Sequence, residues 1–488
     1  MASTVVLQEV FDRMVRDLPR DQMPKGACWN LLDAIPGLGG PAGTRGGTTY
    51  ASQNIASVSA SASYISAFAV AAFSAGSAKV AIDEDGRVYR VYSASSTSAL
   101  SVAQAPKQKL IFHREKLIIP SDNGTSTVKY YDGATTVTAL TASAPTAMYG
   151  TVYADRTVLA GTASQRQRTY FSGPGDPTSW DTTDGWVDMS YPLTGVAALQ
   201  NALLLFSDRR IERIRGKTPP PGSDMVKDTL YEVGCTDARS IAVFNDVCVF
   251  ANGSGLYMTD GASVKDLTVE GGMKKYWQAQ MASYDSSTWT ISGDVYKDEY
   301  VVCIMNASTL VDAFAVNIGS RAFRRVSNIK FVSCFRDTAG QEELYLGRRD
   351  AARVENWSPT YTQASANKAD ANGTAVVATV ETPWFNSGKQ KVIWADAYVT
   401  YNVPDYASDN PTFTLSYVTD PTSTSYTAVT DSGGTGYTLA ETTAIARVKR
   451  RLRKRSIGLG FKLVQSASGA ALLYRLEAHI MPLDEGGL

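Results

Sequence analysis

Nine consecutive residues, Arg447–Arg455 (RVKRRLRKR), contain seven cations: Arg447, Lys449, Arg450, Arg451, Arg453, Lys454 and Arg455. As a helix the run has no apolar stripe. As a strand its side chains alternate, so Arg447, Lys449, Arg451, Arg453 and Arg455 share one face, with Val448, Arg450, Leu452 and Lys454 on the other. Three chemistries use such a strand. It can contact phosphates, where each released counterion adds salt-sensitive affinity. It can dock on an acidic neighbouring subunit. It can also be a solvated sheet edge that uses charge to refuse further strands. No aromatic residue alternates within the run, which argues against a groove for stacked single-strand bases.

Residues for acid–base and metal chemistry are scarce. Histidine occurs twice, as His113 in IFHRE and His479 in EAHIM, both strand-like contexts that predict ordinary strand residues. The cysteines are Cys28, Cys235, Cys248, Cys303 and Cys334. Their odd count and the lack of any C-x-x-C argue against a disulfide framework or a zinc ribbon. Three of them, in VCVF, VVCIM and FVSCF, read as small buried hydrophobes. Asp83–Gly86 (DEDG) lacks the alternating oxygens and distal Glu of a calcium loop and predicts a tight turn. Phe171–Asp181 (FSGPGDPTSWD) is similar to the Asp-box turn of sialidase propellers. However, Pro174 and Gly175 intervene and no Gly follows Asp176, so a structural turn with Trp180 beneath it is expected. Glu342 and Glu343 are adjacent and would face opposite ways on a strand. No G-x-S-x-G, P-loop or dinucleotide fingerprint occurs. The expectation is no catalytic residue, no metal and no cofactor.

The composition supports that expectation. Lys+Arg and Asp+Glu number 47 each, and charged residues are 19% of 488, against about 25% in an average soluble domain. A neutral chain does not grip nucleic acid or membrane with its whole surface. The charged N-terminal stretch, with Glu9, Asp12, Arg13, Arg16 and Asp17, lacks the apolar core of a signal peptide. The apolar run Ala67–Phe73 is far short of the roughly 20 residues of a membrane span. Cytoplasmic synthesis and no membrane partner are expected.

The elements that position these residues are mostly strands. Residues 4–18 place Val6, Leu7, Val10, Phe11, Met14, Val15 and Leu18 at helical spacing, and Pro19 closes the predicted helix. Gly37–Gly47 (GLGGPAGTRGG) cannot hold regular structure and predicts an extended arm, with Gly39, Gly40, Arg45, Gly46 and Gly47 as its assembly residues. From about residue 60, β-branched and aromatic runs alternate with Gly/Asp/Asn/Ser turns. Seven runs resemble one another and can be anchored on Val80, Ile118, Val158, Leu205, Val249, Val302 and Leu344. Their spacing of about 40–50 residues is that of a propeller blade, whose sheet faces are buried only by stacking on neighbours. A row of β-sandwiches would lack this period. Residues 360–375 are small and polar and predict a linker. Beyond it, strands are predicted at Ala375–Glu381, Val392–Val403, Thr412–Val418, Ala446–Lys454, Ile457–Gln465 and Ala471–Ile480, separated by loops such as Asp431–Gly436. The fold class is mainly β: a propeller of six to seven degenerate blades over 56–365 and a β-sandwich or jelly-roll-like domain over 366–488. An N-terminal helix and Gly-rich arm over 1–55 precede them.

Four stretches carry a resemblance. They are Trp29–Asp33 (WNLLD) running into Thr44–Gly47 (TRGG), Tyr170–Trp180 (YFSGPGDPTSW), Leu193–Gly216, and the basic strand before Gly458–Leu463 (GLGFKL). In texture and order the chain resembles the β-propeller nozzle or tail-tube proteins of short-tailed bacteriophages and the related packaged-DNA stabilisation proteins. The resemblance covers most of residues 25–480. It implies a virion tail component that forms a ring of six copies and extends the DNA channel below portal and adaptor. The implied partners are further copies of itself, portal, adaptor or other tail proteins, tail fibres, and passing double-stranded DNA without sequence specificity. A Gly-rich arm that orders on assembly and a neutral, Tyr-rich surface suit that role. A DNA conduit must let DNA slide, so the basic strand is expected to dock on a neighbour more than to line the lumen. Two other classes stay open: a propeller glycan hydrolase, which needs acids converging at the propeller axis, and a glycan- or receptor-binding propeller.

Overall fold

The computed structural model describes residues 3–8, 11–35, 42–44, 48–52, 54–55, 62–93, 96–102, 104–134, 136–337, 343–357, 370, 376–386, 391–403, 412–430, 436–438, 442–465 and 472–482. Seven antiparallel sheets succeed one another along the chain and pack side by side as the blades of a propeller. Their first strands are Ile65–Phe73, Ile111–His113, Tyr149–Tyr153, Gly195–Ala198, Ala242–Phe244, Trp289–Tyr296 and Phe331–Asp337. Val80, Ile118, Val158, Leu205, Val249, Val302 and Leu344 each stand in the second strand of a blade, and each is 0% exposed. A second strand is covered on both faces by neighbouring blades, so it reads as an unbroken apolar run such as LLLF or VCVF.

An apolar cluster fills each crevice between blades. Ile111, Leu159 and Tyr170 lie between the second and third blades, and Leu204, Phe206, Cys248 and Phe250 between the fourth and fifth. A buried Leu or Phe contributes about 1.5–3 kcal/mol, so a blade cannot stand without its neighbours. Phe250→Ala would cost about 3–5 kcal/mol. Two-residue turns with positive φ close the first hairpins of the second, third and fifth blades, at Arg114–Glu115, Ala154–Asp155 and Asn245–Asp246. This conformation matches the twist of the strands it joins. The DEDG segment is a turn. Asp83 is buried and accepts from the Arg87 N–H at 2.8 Å and the Tyr89 hydroxyl at 2.8 Å. Gly86 has φ 79°, and a Cβ there would lie 2.6 Å from the Gln104 backbone.

Ring closure uses a segment from the other end of the chain. The seventh blade comprises Phe331–Asp337, Glu343–Arg348 and Val354–Trp357, and its outermost strand is Thr49–Tyr50. The Thr48 hydroxyl donates to Glu355 at 2.7 Å, and Val354 N–H donates to the Ser52 hydroxyl at 2.8 Å. Against the first blade, the Phe68 ring lies 4.9 Å from Tyr345.

The C-terminal unit is a two-layered β-sandwich. One sheet orders Thr442–Ser456, Val392–Val403, Leu472–Pro482, Ala42–Thr44 and Ala34–Ile35, with Ser3–Gln8 also pairing Leu472–Pro482. The other extends the sixth blade. Its strand Phe323–Arg325 pairs in parallel with Asn30–Leu32, which pairs with Thr379–Asn386, followed by Gly458–Gln465 and Thr412–Val418. Trp394 and Leu476 of one layer and Phe413 and Phe461 of the other share one core, continuous with Trp277, Ile291 and Phe314 beside the sixth blade.

The helix expected over residues 4–18 is corrected. Ser3–Gln8 is a strand antiparallel to Leu472–Pro482, with Ser3 opposite Ile480, and Arg13–Met14 pairs in parallel with Ala27–Cys28. Short isolated helices are marginal, and the β-branched Thr4, Val5 and Val6 gain more from an available sheet edge. Phe11, Met14 and Val15 are buried without helical spacing being needed. Among the described residues, α-helix occurs at Leu267–Glu270 and Lys274–Gln280, where Asp266 caps the first helix and Trp277 anchors the second. The described parts of the first fifty residues are therefore woven into the sixth and seventh blades and the sandwich, and the strand Ala42–Thr44 corrects the expectation that Gly37–Gly47 holds no regular structure. Gly39, Gly40, Arg45, Gly46 and Gly47 lie outside the described residues, as do most of 360–375 and most of Asp431–Gly436.

Candidate functional site

The basic run is a strand, Thr442–Ser456, at the edge of its sheet. Among the described residues it pairs only with Val392–Val403. Arg447, Lys449, Arg451, Arg453 and Arg455 are exposed, and Leu452 is buried beneath them. The register slips where Leu452 and Arg453 together stand opposite one partner residue between Trp394 and Asp396. Arg453 takes φ 48° there, a bulge that twists the edge and hinders pairing by another strand.

The two ends of the run differ. Arg447 pairs with Glu477 at 2.7 Å and lies 4.0 Å over the Tyr398 ring. Lys449 pairs with Asp396 at 3.0 Å, and that carboxylate raises its pKa. Arg450 is half-buried and donates to the Lys449 carbonyl, while Lys454 sits over Tyr417 at 5.4 Å. Among the described residues, no carboxylate lies within ion-pair distance of Arg451, Arg453 or Arg455. The second half of the strand therefore presents exposed positive charge that no described carboxylate compensates. His479 faces the compensated half, with the Tyr398 hydroxyl 3.2 Å from its Nδ1.

An ion-pair network lines a cavity of about 340 Å³ at the propeller axis, walled by the second to seventh blades. Lys109 Nζ meets Asp294 at 2.9 Å, and Arg336 N–H donates to the same carboxylate at 3.2 Å. The Arg336 guanidinium reaches the Val243 carbonyl at 3.0 Å. Gln108 donates to the Gly150 and Val196 carbonyls and accepts from Gly150 N–H. One carboxylate held by cations is not the converging pair that glycoside hydrolysis requires.

One mouth of the propeller is a depression of about 1060 Å³ built from loops between blades. Its cations are Lys107, Arg166, Arg209, Arg239 and Arg349, and its carboxylates are Asp208 and Asp237. Asp208 lies 3.9 Å from Arg209 and Asp237 3.8 Å from Arg239. Asp237 is largely buried and accepts from Arg239 and Ile291 N–H groups, and burial raises its pKa. Burial pushes Tyr149 and Tyr284 up to about 12, so both stay neutral phenols. With both carboxylates beside arginines, the depression suits binding of an anion more than proton transfer.

The remaining sequence candidates are structural. His113 is buried in its strand, 2.8 Å from the Thr157 hydroxyl and 3.2 Å from Asp155, which also pairs with Arg114 at 2.7 Å. Trp180 is buried and donates to the Pro177 carbonyl at 2.8 Å, and Asp176 accepts from Thr178, the turn expected there. Glu342 lies outside the described residues, and Glu343 accepts from the Tyr345 hydroxyl. All five cysteines are buried free thiols. Among the described residues no group of three His, Cys, Asp or Glu side chains could hold a metal ion. No described helix is long and apolar enough to cross a membrane. Sequence reasoning missed the axis network because Lys109, Asp294 and Arg336 belong to distant blades and carry no local motif.

No protein-family model matches the chain, and no curated protein does. Among solved structures it is similar to BamB from Moraxella catarrhalis at 11% identity and TM-score 0.37, over 60% of this chain and 83% of that one. It is also similar to the computationally designed Ika8 protein at 12% identity and TM-score 0.39, over 64% and 100%. A third is BBS1N, solved in complex with ARL6DN, at 11% identity and TM-score 0.43, over 66% and 99%. Likeness at this level carries no argument about function. The chain itself is a mainly β, seven-bladed propeller with a C-terminal sandwich.

Proposed function

We propose that the chain is a structural subunit of a phage tail ring, the nozzle-type component that its sequence resembles. It would assemble with copies of itself below portal and adaptor, contact tail fibres, and let double-stranded DNA pass without reading its sequence. The observation that carries this reading is the edge strand Thr442–Ser456, which exposes a row of cations that no described carboxylate meets along its second half. Lys109, Asp294, Arg336 and Gln108 line the cavity at the centre of the propeller, where Asp294 is the one carboxylate among the described lining residues and is held by Lys109. A channel for DNA would run between copies of the chain, not through the propeller. The cations Arg451, Arg453 and Arg455, which meet no carboxylate among the described residues, suit docking on a neighbour from a sheet edge. Electron microscopy of the purified protein with its portal and adaptor partners tests this. A ring is expected, and a monodisperse monomer with no ring in their presence would overturn it.

A second reading is supported by the loop-built depression. Its five cations and its tyrosines fit an acidic glycan or another anionic receptor group. Saturable binding to isolated cell-surface polysaccharide would favour it. An inactive glycan panel would leave the structural reading in place.

A further inference from the structure

Two patches on opposite sides of the molecule complement each other. The first is the end of the basic strand, where Arg451, Arg453 and Arg455 are exposed and meet no carboxylate among the described residues. The apolar Ile457 and Met481 of the same sandwich sheet region are exposed at 42% and 36%. The second lies on the outermost strands of the third blade, Asp176–Trp180 and Trp186–Asp188. Residues 174–188 contain Asp176, Asp181, Asp184 and Asp188 and no Lys or Arg. Asp188 is taken by Arg168 at 3.0 Å. Asp176, Asp181 and Asp184 are exposed and have no ion pair within 4 Å among the described residues; Asp176 and Asp181 accept hydrogen bonds within their own turns, Asp184 N–H donates to Asp181, and the charge acting on Asp176 is that of Lys116 in the second blade. Next to Asp188, on the outer strand Val226–Tyr231 of the fourth blade, Val226 and Tyr231 are exposed at 57% and 44%. Lys227 ties the two blades through the Asp188 carbonyl.

The placement of the patches matters as much as their charge. The sandwich grows from the sixth blade, and the third blade is three steps away in a ring of seven, as far as any blade can be. A patch and its complement on opposite sides cannot meet within one chain. Between copies they make a head-to-tail contact, the heterologous type that closes into a ring when the rotation allows.

We infer that a second copy of this chain docks the acidic outer edge of its third blade, with Val226 and Tyr231 of the fourth, on the basic edge strand around Arg451–Arg455. This rests on the ring reading above and names the surfaces that would make the ring. Three exposed cations against three exposed carboxylates also set the register and make assembly salt-sensitive.

Charge reversal in the full chain tests it. The variant R451E/R453E/R455E has two acidic surfaces, and D176K/D181K/D184K has two basic ones. Each alone should lose self-association at least tenfold in sedimentation velocity while keeping the wild-type Tm. An equimolar mixture should recover it, because every junction then joins opposite charges. Carbodiimide treatment of the wild type should join Lys454 or Lys449 to Asp181 or Asp184 between isotopically distinct copies, a readout that needs no variant. The inference is overturned by a wild type that stays monomeric to its solubility limit, by variants that associate as well as wild type, or by a mixture that does not recover. Wild-type assembly that survives both reversals removes this interface and leaves the ring reading standing. A ring seen in particles but built on other surfaces does the same.

Discussion

Replacing Asp294 by alanine probes the ion-pair network at the propeller axis. Its side chain is 7% exposed and Lys109's is 21%, so their 2.9 Å contact is substantially withdrawn from water. The carboxylate also accepts from the Arg336 and Val295 N–H groups. Removing one partner of a buried pair costs about 3–5 kcal/mol, because the other charge is left uncompensated. The partial exposure of Lys109 places the cost at the lower end, about 3 kcal/mol. Unfolding entropy of about 2.1 cal/mol/K per residue gives about 1 kcal/mol/K for a chain of 488 residues. The expected fall in Tm by calorimetry is therefore about 3 °C if the chain unfolds as one unit, and more if the propeller unfolds by itself. Adding Lys109→Met to Asp294→Ala removes the stranded cation and should recover part of the loss. A single variant within about 1 °C of wild type, or a double variant no better than the single, would refute the idea that an ion-pair network ties the blades together at the axis.

Other outcomes follow from the same structure. Arg213 holds the Asp228 carboxyl below the usual carboxylate range. A depressed pKa contributes stability that is present above the unfolded value of about 3.9 and is lost as pH falls through the folded value. Wild type should thus exceed Asp228→Asn in Tm near neutrality, and the gap should close in acid. Burial pushes the thiols of Cys28, Cys235, Cys303 and Cys334 up to about 12 and raises that of Cys248 as well. A thiol reagent should find no fast-reacting cysteine in the native chain and five after denaturation; one rapid equivalent would contradict the packing. Deleting residues 1–50 strips Thr49–Tyr50 from the seventh blade. Hydrogen exchange should then lose protection over Val354–Trp357, whereas unchanged protection would mean that the blade closes without the N-terminal strand.

Much of the propeller was legible because its second strands are buried on both faces. That constraint writes an apolar run once per blade, and the seven anchors Val80 to Leu344 fell one to a blade. The sandwich strands were legible for a related reason: Val392–Val403 and Thr412–Val418 occur at the predicted bounds, since Pro, Asp and Ser clusters bracket them. The N-terminal segment misled because Phe11, Met14 and Val15 at helical spacing are equally well buried by an extended chain crossing a core. Thr49–Tyr50 had no signal, since two residues are too few to show a period. For the candidate surfaces, alternation alone placed the five cations of Arg447–Arg455 on one face. Which of them are compensated depends on Asp396 and Glu477 in other strands, a pairing set only by the folded register. The separation of the acidic third blade from the basic strand likewise becomes visible only once the blades are counted round the ring.

The central claim concerns where the chain works. Cryo-electron microscopy of intact tailed particles, with the protein located by its seven-bladed outline and attached sandwich, tests it most directly. The account predicts a ring of copies coaxial with the portal and DNA space between subunits. Absence of the protein from the particle, or its presence as an isolated monomer at a fibre tip, would contradict it.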